Sequence, residues 1–470
     1  MTDGPAELGV DTSDIPGLLV LRLPVHGDNR GWFKESWQRA KMTALGLPDF
    51  GPVQHNVSFN DATGVTRGIH AEPWDKLVSV ATGRVFGAWV DLREGESFGR
   101  VVTVELGPDT AVFVPRGVGN AYQTLEPATA YSYLVNAHWS AAARASYTFL
   151  NVADETAAVP WPIPLDRAEL SQADLAHPRL AEVRPFPARR SVVLGAGGQV
   201  GRALAALLPD AVALTRTDLD LTGDLDEAYD WDTVDVVYNA AAHTGVDAAE
   251  TPEGRPEAWA TNVAAVGRLV EVCRRHRLPL VHFSTDYVYD GTRELHQEDE
   301  PVAPLGVYGQ TKAAGDALVA TLPRHHVLRT SWVIGDGGNF LATMARLADN
   351  GVSPTVVADQ VGRLGFADDL ARAAHHLATS GAEPGVYHVT CSGDPVSWAD
   401  LARAVFVARG READAVTPVT TEEYAAGKQL APRPRHSTMD LTKLEATGFV
   451  PSDGAAALAA YLRTLPPPAR

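Results

Sequence analysis

The sequence predicts two domains, a β-sandwich or jelly roll followed by an α/β domain with a parallel sheet. The chain has 470 residues, more than a single hydrophobic core usually organises. Up to about residue 150, short runs such as RVVTVEL alternate apolar and polar residues between Gly and Pro turns, which is the period of strands. After about residue 190, apolar strands alternate with amphipathic helices, which is typical of a parallel sheet.

The individual elements follow from these patterns. Predicted strands of the first half are KLVSVATG, RVFGAWVDL, RVVTVEL, AVFVPRG and AYSYLVNAHW. The second half has the predicted strands SVVLG, AVALT, VDVVYNAA, PLVHFST and HVLRTSW, a helix at VGRALAALL, and a helix carrying Trp259, Val263, Val266 and Val270. Between the halves, PWPIPLDR and VRPFPARR are rich in proline, which resists regular structure. We therefore expect a linker near 183–190, between domains 1–185 and 190–470.

Composition and charge exclude several classes of protein. Hydrophobic residues make up 45% and charged residues 21%, as in ordered globular proteins, and the net charge of -18 repels nucleic acid and anionic membranes. The start of the chain lacks a secretory signal, and no stretch approaches the ~20 apolar residues that span a bilayer. Cys273 and Cys391 lie in apolar contexts without metal-ligand spacing. We expect a cytoplasmic protein that binds neither nucleic acid nor membrane, and no metal.

A glycine-rich loop opens the second half. The segment SVVLGAGGQVGRALAALL places Gly195, Gly198 and Gly201 between a predicted strand and a predicted helix. Missing side chains at such a position let a pyrophosphate approach the helix N-terminus. Glycines alone could form a tight turn, but the strand before and the helix after favour a dinucleotide site.

Tyr308 and Lys312 are four residues apart, which puts both side chains on one helical face. A nearby ammonium lowers the pKa of a phenol, so the tyrosine can deliver a proton to an oxygen while hydride moves at the adjoining carbon. An isolated pair of this kind is often solvent-exposed and has no catalytic role. Together with the glycine loop and with Ser284-Thr285-Asp286 at the end of a buried strand, the pair favours a reductase.

Residues from about 190 to 465 carry GAGGQVG, NAAAHTGVDAAE, STDYVYDG, YGQTKAAGD, RTSWVIG and RPRHS in this order. They resemble the extended short-chain dehydrogenase/reductases, most closely the dTDP-4-dehydrorhamnose reductase family, which implies a Rossmann fold and an NADPH or NADH cofactor. The resemblance implies a catalytic triad of Thr285, Tyr308 and Lys312, and a sugar pocket lined by Asp247 and Trp332. It places the cofactor against Gly195, Gly198, Gln199, Val200, Gly201, Asp224, Leu225, Ala241, Ala242, His243, Tyr308 and Lys312.

The choice between the two cofactors rests on the residues after the second strand, Leu214-Thr215-Arg216-Thr217-Asp218. An acid there favours the free ribose of NADH, and an arginine favours the extra phosphate of NADPH. Both residue types are present. We favour NADPH because of Arg216.

Three polar segments stand out in the first half, DNRGWFKE, QHN and RGIH. Arginines beside glycines at strand ends suit anions, because the guanidinium fork matches phosphate. A lone histidine in a sandwich is more often structural, so spacing alone does not decide the role of His70.

Residues from about 12 to 182 carry DNRGWFKE, QHNVSFN, GVTRGIH, VFVPRGVGNAY and LSQAD, which resemble the dTDP-4-dehydrorhamnose 3,5-epimerase family, a metal-free, cupin-like jelly roll. A 4-keto group acidifies the hydrogens at C3 and C5 of such a sugar, so histidine is a suitable base near neutral pH. The resemblance makes His70 this base, oriented by Asp174, with Lys76 stabilising the enolate and Tyr133 reprotonating the opposite face. It implies substrate contacts by Arg30 and Arg67 with the diphosphate, by Phe33, Glu35, Gln54 and Asn56 with the sugar, and by Trp139 with thymine.

This half departs from its family at three places. The loop AEPWDK after His70 is short, Asn120-Ala121-Tyr122 stands where His-Gly-Phe is typical, and Leu134 replaces a frequent lysine. A second ring base is therefore missing, so epimerisation at one carbon is better supported than epimerisation at both.

Together the resemblances imply a bifunctional enzyme that converts dTDP-4-dehydro-6-deoxy-D-glucose to dTDP-4-dehydro-L-rhamnose and reduces it to dTDP-L-rhamnose. One alternative is the same chemistry on another dTDP-deoxysugar, with epimerisation at a single centre. Another is a non-catalytic N-terminal binding or regulatory module fused to a reductase. Both families commonly form dimers, so we expect a homodimer.

Overall fold

The structure is a computed structural model that describes residues 7–465. Residues 1–6, which belong to the segment considered above for a secretory signal, lie outside the described part. The chain divides into two compact units, Met1–Ala188 and Arg189–Arg470.

The first unit consists of two antiparallel sheets with two short helices, α1 (Arg39–Ala44) and α2 (Gln172–Leu175). Its strands are β1 (Gly9–Thr12), β2 (Leu19–Arg22), β3 (Val25–Asp28), β4 (Gly31–Lys34), β5 (Gln54–Asn60), β6 (Thr66–Ala71), β7 (Lys76–Thr82), β8 (Val85–Asp91), β9 (Val101–Leu106), β10 (Thr110–Val114), β11 (Val118–Thr124), β12 (Thr129–Val135) and β13 (Thr148–Phe149). One sheet has the order β1-β2-β10-β7-β12-β5 and the other β13-β6-β11-β8-β9, while β3 and β4 form a separate hairpin. The predicted jelly roll is confirmed.

Apolar side chains from both sheets fill the space between them. Val78 of β7 and Val112 of β10 meet Trp89 of β8 and Tyr122 of β11 in one buried cluster. All residues of β8 are buried, because Leu150 and neighbouring apolar residues of the segment after β12 cover the outer face of its sheet. This packing positions β6, β7 and β12, which carry His70, Lys76 and Tyr133.

The second unit is built on a six-stranded parallel sheet with the order β15-β14-β16-β17-β18-β23. The strands of this unit are β14 (Arg190–Leu194), β15 (Val212–Leu214), β16 (Val234–Asn239), β17 (Leu280–Thr285), β18 (His325–Thr330), β19 (Val333–Ile334), β20 (Thr355–Val357), β21 (Val361–Gly362), β22 (Gly365–Phe366), β23 (Gly385–His388), β24 (Val396–Ser397) and β25 (Thr417–Val419). Its helices are α3 (Gln199–Leu207), α4 (Leu225–Ala228), α5 (Gly254–Trp259), α6 (Ala265–His276), α7 (Val307–Val319), α8 (Phe340–Asp349), α9 (Ala367–Thr379), α10 (Trp398–Ala408), α11 (Thr421–Ala425), α12 (Thr442–Glu445) and α13 (Gly454–Thr464).

Helices cover both faces of this sheet, as the alternating pattern predicts. Leu269 of α6 and Val319 of α7 pack on one face, and Leu204 of α3 and Leu370 of α9 pack on the other. The chain runs from β14 outward to β15 and then crosses to β16 on the opposite side of β14. Such a reversal of strand order opens a crevice at the carboxyl ends of the strands, where dinucleotides bind.

The predicted helix around Trp259 is observed, but a π turn at Ala260–Ala264 divides it into α5 and α6. Asn262 in this turn is buried, and its side chain bonds the backbone N–H and carbonyl of His243 and the hydroxyl of Thr311. The turn therefore anchors the loop after β16 to α7. Such π turns often occur at functional sites.

Two further features of composition have a structural counterpart. Cys273 and Cys391 are both free and buried, and burial raises the pKa of each thiol to about 12. Within residues 7–465, the helices are too short or too polar to cross a membrane.

Candidate active sites

His70 in the first unit is hydrogen-bonded to Asp174, with 2.9 Å between Nε2 and Oδ1. Asp174 lies in α2, where Ser171 Oγ caps the helix by accepting its backbone N–H. Burial favours the neutral acid, but the hydrogen bond and charge of His70 together hold the pKa of Asp174 below its usual value. The carboxylate can therefore orient the imidazole and stabilise its protonated form.

A second imidazole, His177, lies against this pair, with its ring centroid 5.4 Å from that of His70 and stacked on Phe149. Ligand atoms of His70, Asp174 and His177 all lie within 4.8 Å of one another, a spacing that a metal ion could use. The ring nitrogen of His70 and the carboxylate oxygen of Asp174 that face each other already form a hydrogen bond. We therefore interpret these two residues as a proton-transfer pair rather than as metal ligands. Sequence reasoning missed His177, because nothing in DLAHP shows that the ring turns toward His70.

Lys76 begins β7 and is almost completely buried, with its ammonium 2.7 Å from the carboxylate of Glu72. The ammonium also lies 5.9 Å from the ring centroid of Tyr133 on the neighbouring β12. Burial, reinforced by the charge of Glu72, raises the pKa of Tyr133 to about 12. Tyr133 is therefore a neutral phenol at physiological pH and can act as a proton donor.

Two cavities share His70 and Arg67 in their walls. One, of about 220 Å³, is also lined by Glu72, Lys76 and Tyr133. The other, of about 400 Å³, is lined by Asp174 and His177. The four catalytic residues predicted for this half thus converge around His70.

The predicted substrate contacts fall into two groups. Gln54 and Asn56 are hydrogen-bonded to each other on β5, where Asn56 lies opposite Tyr133, and Gln54 also accepts the backbone N–H of Trp139. Arg30, Phe33 and Glu35 belong to the β3–β4 hairpin and its continuation. Among the described residues, neither group lines the two cavities around His70, whereas Arg67 lines both.

The hairpin residues are turned to the outside instead. Arg30 forms an ion pair with Asp28, Glu35 forms one with Lys41, and the Phe33 side chain is 65% exposed. Lys34 anchors the hairpin by donating to the carbonyls of Val80 and Pro108. Within one chain, these three predicted contacts are not brought to His70.

Asn120, at the position where a second ring base is missing, has a defined role. Its Oδ1 accepts hydrogen bonds from Trp89 Nε1 and from the Tyr131 hydroxyl, at 3.0 and 2.9 Å. An amide held in this way cannot serve as a base. It fixes Tyr131 in the wall of the smaller cavity.

The glycines of the second unit divide by function. Gly195 has a positive φ of 74°, and a Cβ there would lie 2.6 Å from the backbone of Ala241, while a Cβ at Gly201 would collide with the Gly195 carbonyl. These two glycines allow strand, helix and neighbouring loop to meet. Gly198, Gln199 and Val200 instead line a cavity of about 590 Å³.

This cavity suits a dinucleotide. Helix α3 begins at its wall without a side-chain cap, so the first amides of the helix are available to a phosphate. The amide oxygen of Gln199 is buried and has no hydrogen-bond partner within residues 7–465. A pyrophosphate and a ribose would provide hydrogen-bond partners for these unpaired polar groups at the start of the helix.

Thr285, Tyr308 and Lys312 line the same cavity. Thr285 ends β17 and is hydrogen-bonded to Tyr308, while the ammonium of Lys312 donates to the carbonyl of Phe283 at 2.6 Å and lies 3.2 Å from His282 Nε2. The expected lowering of the phenol pKa by Lys312 is wrong for this structure. Burial raises the pKa of Tyr308 to about 12, and only the hydrogen bond to Thr285 among its partners lowers it. A neutral phenol is the form that a ketone reduction needs, because it must give a proton.

Trp332 also lines the cavity, and its ring is stacked on that of Trp398 at 3.8 Å between centroids. Sequence reasoning missed Trp398, because the capping box formed by Ser397 and Asp400 signals only that a helix begins there. Asp247 lies apart from this wall. Its carboxylate accepts hydrogen bonds from the backbone of Ala431 and from Arg433 and so holds the loop near the end of the chain.

Of the other predicted cofactor residues, Ala242 is the one that the cavity lining includes. The backbone of His243 is held by Asn262, and the backbone of Ala241 packs on Gly195. Asp224 caps α4, and the side chain of Leu225 is part of the hydrophobic core. Arg216 is exposed after β15, near Asp220.

Asp286 is buried in the cavity wall and accepts a hydrogen bond from Thr285 at 3.0 Å. Burial raises the pKa of its carboxyl from 3.8 to about 6, against the hydrogen bonds from Ser437 and Thr285. Since the folded pKa exceeds the unfolded one, the folded state binds more protons between these values and stability falls as pH rises through this window.

We therefore expect Asp286→Asn to raise the free energy of unfolding by about 2 kcal/mol more at pH 7 than at pH 4, because each pKa unit corresponds to about 1.4 kcal/mol and the unfolded carboxyl is already partly ionised at pH 4. Urea denaturation of the intact chain at both pH values, followed by tryptophan fluorescence, measures this difference. An equal effect of the substitution at both pH values would contradict it.

The fold and the two sites define a fusion of a cupin-like jelly roll and a Rossmann domain of the short-chain dehydrogenase/reductase type. The family described as dTDP-4-dehydrorhamnose 3,5-epimerase matches residues 12–182, and the family described as RmlD substrate binding domain matches residues 189–466. The chain therefore belongs to the dTDP-4-dehydrorhamnose 3,5-epimerase family in its first half and to the RmlD reductase family in its second.

Individual relatives match one half each. The "Protein RmlC homolog" of Streptococcus pyogenes is 49% identical over 181 residues, 37% of this chain and 91% of the relative. The dTDP-4-dehydrorhamnose reductase of Aggregatibacter actinomycetemcomitans is 40% identical over 291 residues, 57% of this chain and 97% of the relative. The solved structure of dTDP-4-dehydrorhamnose reductase from Bacillus anthracis in complex with NADP is 31% identical with a TM-score of 0.53, covering 59% of this chain and 98% of its own.

Proposed function

We propose that this chain is a bifunctional enzyme that epimerises dTDP-4-dehydro-6-deoxy-D-glucose at C3 and C5 and then reduces the 4-keto group to give dTDP-L-rhamnose. The observation that carries the proposal is the presence, in one polypeptide, of a His70–Asp174 pair beside Lys76 and Tyr133 and of a Thr285, Tyr308 and Lys312 site beside a glycine loop. Both sites act on the same ketone.

In the first step, His70 removes the proton from a carbon next to the ketone, and Asp174 stabilises the imidazolium that forms. Lys76 stabilises the negative charge that moves to the ketone oxygen. Tyr133, neutral because its pKa is raised to about 12, returns a proton to the opposite face of the carbon. No metal is needed, because the ammonium supplies the positive charge.

In the second step, Tyr308 gives its proton to the ketone oxygen, and Thr285 and Asp286 hold the phenol in place. The glycine loop would hold NADPH, which would supply the hydride for C4. Lys312 lies on the same helical face as Tyr308 and would hold the nicotinamide ribose. Trp332 and Trp398 form an aromatic wall for the sugar-nucleotide.

We propose NADPH rather than NADH, supported by Arg216 and by the NADP found in the Bacillus anthracis relative. Arg216→Ala is expected to raise the KM for NADPH by roughly tenfold, because one charged contact with the 2′-phosphate contributes about 1.4 kcal/mol or more. The KM for NADH should stay within about twofold. Initial rates with each cofactor measure both values, and an equal change for the two would contradict the assignment.

We further propose a homodimer formed through the first unit. Val57 and Phe59 are exposed by 61% and 57% on β5, which is an edge strand of its sheet, and unpaired apolar edges usually have a partner. In such a dimer the hairpin carrying Arg30, Phe33 and Glu35 would reach the partner copy's site. Sedimentation of the intact chain and of Phe59→Glu tests this.

The buried free thiols Cys273 and Cys391 support a reducing compartment, the cytoplasm.

The experiment that tests the proposed function supplies the purified chain with dTDP-4-dehydro-6-deoxy-D-glucose in D₂O. Without NADPH, deuterium should enter C3 and C5. With NADPH, cofactor should be oxidised and NMR should identify dTDP-L-rhamnose. Deuterium at one carbon only, with another 4-epimer as product, would favour the pathway of a different deoxysugar.

A further inference from the structure

Glu72 is the acidic side chain closest to the proposed enolate site. It follows His70 by two residues at the end of β6, and both side chains line the smaller cavity. Its carboxylate accepts hydrogen bonds from Trp74 Nε1 at 2.6 Å and forms the ion pair with Lys76 at 2.7 Å. The two charged side chains are only 12% and 4% exposed, so each is the main counter-charge of the other.

Among the described residues that line this cavity, Glu72 is the only anionic side chain. Facing the ion pair are the cation Arg67, the imidazole of His70 and the phenols Tyr122, Tyr131 and Tyr133. A buried ammonium without a counter-charge favours its neutral form, because burial penalises the charge. A neutral amine would stabilise an enolate much less than an ammonium does.

The same carboxylate also acts on the phenols. Its charge contributes to the raised pKa of Tyr133 and of Tyr147, whose ring lies 5.5 Å from that of Trp74. Glu72 therefore favours both the charged form of the lysine and the protonated form of the proton donor. Both effects keep Lys76 charged and Tyr133 protonated up to a higher pH.

We propose that Glu72 is a positioning residue of the epimerase site, which holds the Lys76 ammonium charged and directed into the cavity. This inference rests on the proposed epimerase function for its catalytic meaning, but the Glu72–Lys76 coupling itself is independent of turnover. It also gives the short loop AEPWDK a role, because the short connection brings Glu72 back to Lys76.

The kinetic test measures deuterium incorporation into dTDP-4-dehydro-6-deoxy-D-glucose between pH 6 and pH 10 for a double-mutant cycle. Glu72→Gln should lose roughly 10- to 100-fold in rate and its alkaline limb should move by about one pH unit or more toward lower pH. The variant Glu72→Gln/Lys76→Gln should be no slower than Lys76→Gln, because Glu72 acts through Lys76. If the rate losses of Glu72→Gln and Lys76→Gln multiplied in the double variant, the proposal would be overturned. An unshifted pH profile of Glu72→Gln would overturn it as well.

Glu72→Asp separates charge from packing, since it keeps the carboxylate but shortens it by one methylene. It should retain more activity than Glu72→Gln. A loss as large as that of the amide variant would show that packing, rather than charge, is what Glu72 provides. Circular dichroism and urea denaturation of each variant serve as the folding control.

A second readout needs no catalysis. Brief acetylation with acetic anhydride across the same pH range, followed by mass spectrometry, reports the fraction of Lys76 present as free amine. Glu72→Gln should become reactive at Lys76 at a pH lower by about one unit, while the exposed Lys428 stays unchanged. If the unaltered chain failed to exchange deuterium, the proposed function would fail, whereas an unchanged Lys76 profile would refute the role of Glu72 alone.

Discussion

Tyr308→Phe is expected to reduce the rate of NADPH oxidation by roughly 10²- to 10⁴-fold while the deuterium exchange of the first half stays unchanged. The substitution removes one oxygen from a side chain whose hydroxyl is hydrogen-bonded to Thr285 in the wall of the cofactor cavity. Since Tyr308 is a neutral phenol, it is the group that can give the ketone oxygen its proton. Without that proton, hydride transfer would leave an alkoxide in a buried site.

The measurement follows cofactor absorbance with dTDP-4-dehydro-L-rhamnose as substrate. Tyr424→Phe is a matched control, because this tyrosine lies on the exposed surface of α11. The Kd of NADPH should change little in Tyr308→Phe, so that the loss is in kcat. A variant that keeps more than a tenth of the rate would exclude Tyr308 as the proton donor.

His70→Ala is expected to reduce deuterium incorporation at C3 and C5 by roughly 10³-fold or more, because it removes the base and leaves Asp174 without its partner. Reduction of added dTDP-4-dehydro-L-rhamnose should continue at the rate of the unaltered chain. The combined reaction from dTDP-4-dehydro-6-deoxy-D-glucose should then stop before dTDP-L-rhamnose. NMR of the sugar products distinguishes these steps.

Asp174→Asn should show a smaller loss than His70→Ala, because the amide keeps a hydrogen-bonding partner but no charge for the imidazolium. If His70→Ala retained the exchange, the base would be another group, and His177 beside Asp174 would be the first to examine.

Site residues that lie in one short motif could be predicted from the sequence, whereas contacts between distant segments could not. The glycine loop, Tyr308 and Lys312 are read from short motifs, because a strand, a turn and a helix in direct succession determine their geometry locally. The same holds for the jelly roll, whose alternating strands identify the buried face of each. The family resemblances added roles for His70 and Asp174 that spacing alone did not support.

Other relations depended on contacts between distant segments. The His70–Asp174 hydrogen bond joins residues 104 apart in the chain, and Trp398 at the start of α10 stacks on Trp332 from a distant part of the sequence. The outward position of Phe33 was equally unpredictable, because a hairpin sequence does not show which face of the domain it covers. Glu72 is close to Lys76 in sequence, but its importance depends on burial that only the folded jelly roll creates.

The sequence by itself determined the order of domains, the two families and the chemistry-bearing residue types, because these are properties of local pattern and motif order. The tertiary structure alone decided which of those residues share a cavity and which charge states their surroundings favour. The physical reason is desolvation, since burial raises the pKa of Tyr133 and of Tyr308 to about 12 and leaves Lys76 dependent on one carboxylate.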